Sequence, residues 1–209
     1  MSIFRFWLQF NDSYAFRAYP SLTENQRIHQ GIIPDMTGES RRGLRRCESC
    51  GELLAKWDEH LAGLVVKKRK YDIGITYDGI VVVSQRFISA YESSHLYGLV
   101  FRQLPDDPEF FAVQATRIVE FDAPRRGTRF VKQCPTCGRY ESIVGATPVY
   151  LKNGQSVAGD EFVRTDLEFG SNDEKNPLLL CGKVAEESML KFKLKGVGLC
   201  PLAESVSTS

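Results

Sequence analysis

Residues 80–104 read IVVVSQRFISAYESSHLYGLVFRQL. Four apolar β-branched residues in succession, Ile80 to Val83, predict a strand buried on both faces. Ser84 then offers a hydroxyl to cap a helix. Phe87, Ile88 and Tyr91 follow at helical spacing. Gly98 suits the reversal after the helix, because a left-handed backbone costs glycine little. The stretch LVFRQL predicts a second strand, stopped by Pro105.

Residues 178–202, LLLCGKVAEESMLKFKLKGVGLCPL, align with this stretch without a gap. IVVV faces LLLC, Tyr91 faces Met189, and Leu96-Tyr97-Gly98-Leu99 faces Leu194-Lys195-Gly196-Val197. Only three positions are identical, so the hydrophobic pattern and the shared Leu-x-Gly turn carry the likeness. Each stretch lies downstream of a Cys-x-x-Cys-Gly motif and of an Asp-hydrophobic pair, Asp72-Ile73 and Asp166-Leu167. The expected fold class is α+β, with two related strand–helix–strand lobes joined by a discontinuous zinc-ribbon-like element. The chain is expected to form one unit over 1–209, with duplicated halves at about 1–121 and 122–209. Working outward, IFRFWLQF at the start predicts a strand with Phe4, Phe6 and Leu8 on one face. Residues 110–121 predict a strand with a bend, TPVYL another strand, and residues 170–177 a polar loop.

The two motifs are Cys47-Glu48-Ser49-Cys50-Gly51 and Cys134-Pro135-Thr136-Cys137-Gly138. Two such knuckles supply four thiolates, the number a structural zinc ion takes in a closed tetrahedral shell. Glycine after the second cysteine permits the positive φ of a tight knuckle. The expectation is one structural Zn2+ held by Cys47, Cys50, Cys134 and Cys137. A compact zinc ribbon separates its pairs by about 15–20 residues, whereas 83 residues separate Cys50 from Cys134. The long spacing is feasible because loop-closure entropy grows slowly with length. The alternative is a redox role for one Cys-x-x-Cys pair. Cys181, in a buried strand, reads as a small inert hydrophobe, and Cys200 has no assigned role.

Composition bounds the rest. Of 209 residues, 43% are hydrophobic and 25% charged, an ordinary balance for a globular protein, and the formal net charge is +1. That charge argues against a polyanionic partner. Locally, Arg41, Arg42, Arg45 and Arg46 form a basic cluster beside the first knuckle, Lys67 to Lys70 form another, and Arg125 and Arg126 precede the second knuckle. A zinc-ribbon nucleic-acid binder using Arg41, Arg42, Arg45 and Arg46 is the alternative functional reading. No P-loop, dinucleotide or nucleophile-elbow motif is present, and three scattered histidines suggest no nucleophile–base pair. No enzymatic activity is expected. The opening stretch is interrupted by Arg5 and Asn11 and lacks the features of a signal peptide. No run approaches the roughly 18 apolar residues of a membrane span. A cytoplasmic protein without membrane contact is expected.

Two CxxCG knuckles, the IFRFW strand and the pattern Val83-Ser84-Gln85-Arg86-Phe87 followed by Leu96-Tyr97-Gly98-Leu99-Val100-Phe101 resemble the double-CxxCG motif proteins, a family expanded in myxobacteria. The resemblance covers most of residues 1–202. It implies zinc at the four knuckle cysteines and no catalytic residues. Some members are described as immunity proteins, so the resemblance implies a cognate bacterial toxin as the protein partner.

Overall fold

The computed structural model describes residues 3–8, 45–54, 56, 57, 61, 64–77, 79–152 and 154–201. Arg41, Arg42, His29, His60, Asp78, Leu202 and most of the polar segment before the first knuckle lie outside them. The fold is α+β, with mostly antiparallel strands and few helices.

The valine run forms the centre of a four-stranded sheet. Its strands are β2 (Ile73–Ile75), β3 (Val81–Ser84), β4 (Leu99–Leu104) and β5 (Asp107–Ala115), in the order β2-β3-β5-β4. Side chains alternate across β3: Val81 and Val83 enter one core, and Val82, with Ile80 beside it, enters another. Helix α1 (Gln85–Ser93) follows at once. The Phe87 N–H donates to the Ser84 hydroxyl at 3.3 Å, which is the expected cap. Its buried face is Phe87, Ile88, Ala90 and Tyr91.

The second sheet holds β1 (Ile3–Leu8), β6 (Ile118–Val119), β7 (Arg129–Gln133), β8 (Tyr140–Val144), β9 (Phe162–Ser171), β10 (Asn176–Gly182) and β11 (Val197–Pro201). Its order is β11-β1-β10-β9-β8-β7, and β6 lies parallel to β9. Helix α2 (Ala123–Arg126) precedes β7, and α3 (Lys183–Lys191) joins β10 to β11. The leucine run of β10 is also buried on both faces. Leu179 and Cys181 enter the core shared with α1, while Leu178 and Leu180 enter a third core. This pattern explains why both runs are continuously apolar rather than alternating.

The two aligned stretches meet. The Phe162 N–H donates to the Tyr97 carbonyl at 2.9 Å, and the Asp72 and Ile73 N–H groups donate to the Lys195 carbonyl at 2.8 and 3.3 Å. Gly98 has φ +95°, and a Cβ there would lie 2.2 Å from the Phe162 carbonyl oxygen. Gly196 has φ +87°, and a Cβ there would lie 2.2 Å from the Ile73 carbonyl oxygen. Any side chain at either position would prevent the contact. Ile73 pairs with Val83, and Phe162 pairs with Cys181. Glu161-Phe162 therefore stands where the sequence reading set Asp166-Leu167. Asp166 instead lies inside β9, where its carboxylate accepts from the Phe121 N–H at 2.8 Å.

One other expectation is altered. TPVYL forms no strand beyond an isolated Phe121–Leu151 bridge, and its Thr147-Pro148 bond is cis. Strand β1 pairs with β10 and β11, so the N-terminal strand sits in the sheet of the C-terminal stretch. Phe4 and Phe6 are buried there and Leu8 packs against the same core, as the alternation predicts. Residues 110–121 bend as expected, passing from β5 to β6.

Candidate metal centre

Each knuckle closes the same way. The Cys47 N–H donates to the Glu52 carbonyl at 2.9 Å and the Gly51 N–H to the Cys47 carbonyl at 2.8 Å. In the second, Cys134 donates to Arg139 at 2.8 Å and Gly138 to Cys134 at 2.9 Å. Gly51 and Gly138 have φ of +76° and +72°, with open space where a Cβ would point. Glycine is thus favoured there by backbone conformation and not by crowding. The first knuckle tops a short ladder bridged at Arg46–Leu53. The second tops the β7–β8 hairpin, whose pairing reaches Gln133–Tyr140.

The four sulfurs all lie within 4.8 Å of one another. Cys47 and Cys134 are 3.8 Å apart at Sγ, and Cys50 and Cys137 are 3.7 Å apart. Those distances far exceed a disulfide bond of about 2.05 Å. A tetrahedron of zinc–sulfur bonds of about 2.3 Å has edges of about 3.8 Å. The donor set and its spacing therefore fit a metal ion that takes four thiolates. Like positions meet across the cluster, because the Thr136 hydroxyl also donates to the Ser49 hydroxyl at 2.9 Å. Cys47 and Cys134 are buried, at 5% and 8% exposure, while Cys50 is exposed and Cys137 half-buried.

The thiols are electrostatically unequal. The Cys137 and Thr136 N–H groups draw Cys134 down to about 6, aided by the Cys50 and Cys137 thiols. An N–H from Glu52 favours the Cys50 thiolate, yet burial and the neighbouring thiols push Cys50 up to about 12. Cys134 and Cys50, one from each knuckle, are thus shifted in opposite directions by their surroundings.

Sequence reasoning identified these four cysteines but missed the groups that bring the knuckles together. The Lys175 ammonium donates to the Glu52 carboxylate at 2.9 Å and to the Tyr140 carbonyl, and it is only 3% exposed. Arg139 donates to the Leu53 and Leu54 carbonyls at 3.0 and 2.6 Å. Lys56 donates to the Asp173 and Lys175 carbonyls, both at 2.6 Å. Nothing local marks Lys175, which sits in a stretch whose composition reads as a polar loop.

Among the described residues, several cations of the basic clusters are engaged within the chain. Arg46 forks onto Asp173 at 2.8 and 3.2 Å and reaches the Gly51 carbonyl at 2.7 Å. Arg125 stacks 4.4 Å above the Tyr150 ring, and Arg69 pairs with Asp107 and Glu109. Arg45 is exposed beside the knuckle. Cys181 is fully buried, and burial raises its thiol well above the usual range, consistent with an inert hydrophobe. Cys200 is exposed on the edge strand β11. Among the described residues no helix is long and apolar enough to cross a membrane. Comparison with protein families, with curated proteins and with solved structures gave no match.

Proposed function

We propose that this chain is a non-catalytic, zinc-containing binding protein in which Cys47, Cys50, Cys134 and Cys137 hold one structural ion. The sulfur spacing carries this reading: two edges of 3.7 and 3.8 Å match the tetrahedron zinc requires. Zinc would supply a closed four-thiolate cross-link and leave no coordination position for water. The chain's part is to present two knuckles, shaped alike, from segments 83 residues apart. Two related lobes would then be joined across a discontinuous zinc ribbon, as the matched knuckle bonds and the reciprocal Gly98 and Gly196 contacts suggest.

The binding partner in this proposal is a cognate bacterial toxin, met in the cytoplasm. What supports it is the resemblance of the knuckles, of the IFRFW strand and of residues 71–104 to the double-CxxCG motif proteins. Loops held by the ion would present a fixed surface that covers the toxin's active site. The nucleic-acid alternative is weakened because Arg46 is committed to Asp173 and Gly51.

Metal analysis of protein purified without added zinc tests the centre. One zinc per chain is expected, with loss of binding in a C47S/C134S variant. A chain without metal, or one cycling a disulfide within either Cys-x-x-Cys pair, would overturn it. Co-expression with the product of the adjacent gene tests the partner: rescue of growth is expected, and failure to rescue removes the toxin assignment.

A further inference from the structure

The thiol cluster depends on two hairpins that are distant in sequence, so something must set the distance between them. Hydrogen bonds inside each knuckle shape that knuckle alone. Across the gap, the sulfurs themselves and the Ser49–Thr136 hydroxyl pair are the contacts made by the knuckle tips. Just behind the tips lies a denser set of polar contacts, centred on Glu52, two residues beyond Cys50.

Glu52 is bracketed by two cations from the other side. The Lys175 ammonium meets its Oε2 at 2.9 Å, and Arg139 approaches its Oε1 at 3.9 Å. Lys175 also donates to the Tyr140 carbonyl, three residues beyond Cys137, and has the Glu141 carbonyl at 3.4 Å. An ammonium has three protons and no acceptor. Those of Lys175 are thus spread over one group of the first hairpin and two of the second. Arg139, two residues beyond Cys137, uses its planar fork to hold two successive carbonyls of the first hairpin, Leu53 and Leu54. Lys56 fixes the turn that presents Lys175, by bonding the Asp173 and Lys175 carbonyls.

We propose that Lys175 and Arg139 are positioning residues for the metal centre, tying the first knuckle to the β7–β8 hairpin so that the four sulfurs are held at the spacing an ion needs. Neither touches a sulfur; each acts on the backbone or on Glu52 just behind the knuckle tips. The inference rests on the zinc reading above and adds which residues tune it. Groups behind a metal's ligands commonly change affinity by about 10–100-fold when removed.

The test is competition for zinc against a chromophoric chelator, using the full chain. Arg139→Met is the first variant, because Arg139 lies partly in solvent and its loss should leave the chain folded. Its zinc affinity should fall about 10–100-fold, and Arg139→Lys should restore part of that by reaching one carbonyl. Lys175→Met leaves Glu52 buried without its partner and can unfold the region. The pair Glu52→Gln with Lys175→Met removes both charges together and should also weaken zinc. Cobalt titration adds a spectroscopic signature of the ligand set, which a merely destabilised but intact centre keeps. Each variant should reach the same four-thiolate absorption bands as the wild type, at a cobalt concentration about 10–100-fold higher. Variants with lowered melting temperature but unchanged zinc and cobalt affinity would overturn the positioning role alone. A wild-type chain that binds neither metal would overturn both this inference and the zinc reading.

Discussion

The sheet β2-β3-β5-β4 and the four strands β9-β10-β1-β11 share a layout but are completed differently. In the first, β5 inserts between β3 and β4, with Val83 opposite Phe111 and Leu99 opposite Ala115. In the second, β1 inserts between β10 and β11, with Cys181 opposite Phe4 and Val197 opposite Leu8. Cys181 and Val197 are the residues that align with Val83 and Leu99. Phe111 to Ala115 and Phe4 to Leu8 are equal steps, so the inserted strands stand in the same register. Yet β5 follows β4 through a tight turn, whereas β1 is the first described strand and meets β10 across more than 160 residues. Local closure is entropically cheap. Closing a loop of that length costs roughly 4–5 kcal/mol of chain entropy. A sheet layout can thus recur while the order in which the chain supplies its strands changes, provided the strand brought in from a distance buries enough apolar surface.

The comparison can be broken in several places. The largest effect is expected in β1. Phe6 is 3% exposed, with its ring 5.4 Å from that of Phe162. Phe6→Ala should cost about 3–5 kcal/mol in urea unfolding. Val113→Ala, at the matching place in β5, should cost less because fewer atoms are lost. Equal losses would show that β1 does not carry the closure of its sheet. Next come Gly98→Ala and Gly196→Ala. Each places a methyl against a backbone carbonyl and forces a positive φ, so each should cost about 2–4 kcal/mol. A mild effect at one and a severe effect at the other would break the reciprocity of the two contacts.

A smaller effect should appear with pH. Arg117 holds the Glu161 carboxyl below the usual carboxylate range, against the opposing effect of burial. The folded state therefore binds this proton less readily than the unfolded chain does. Glu161 then contributes stability above the usual carboxylate pKa, and the contribution disappears as pH falls through the lower folded value. Glu161→Gln should lose about 1–3 kcal/mol near neutral pH and show a shallower acid transition than the wild type. An unchanged acid transition would show that the pair adds nothing. The smallest effect is expected in the knuckles. Gly51→Ala and Gly138→Ala meet no neighbouring atom and carry only backbone strain, about 1–2 kcal/mol each. A marked inequality between them would show that the knuckles, alike in their bonds, are unlike in the strain they bear.

Much of the first half was legible because its signals are short. Ile80 to Val83 and the Ser84 cap each announce a local requirement, and the strand and helix follow in that order. Gly98 does not end the helix, which is capped at Ser94; the distant Phe162 carbonyl is what requires a glycine there. The same reading placed β10, α3 and β11. It failed at Asp166, because an acid before an apolar residue is common and only strand register singles out Glu161 as the counterpart of Asp72. It failed at TPVYL, whose β-branched residues meet a single bridge instead of a ladder. The knuckle cysteines were legible because few residue patterns offer four thiolates. Lys175 was illegible because a lysine becomes a buried tie only when distant carbonyls converge on it.

By itself the amino-acid sequence determined where the chain extends, coils and turns, and which four sulfurs are suited to one ion. Those are properties of short segments, set by side-chain periodicity and by the φ values glycine allows. Tertiary structure decided that β1 would complete the C-terminal strands, that Glu161 would take the place corresponding to Asp72, and that Lys175 and Arg139 would span the two knuckles. Such choices depend on which surfaces fit once far-separated segments meet, and no local pattern encodes that fit.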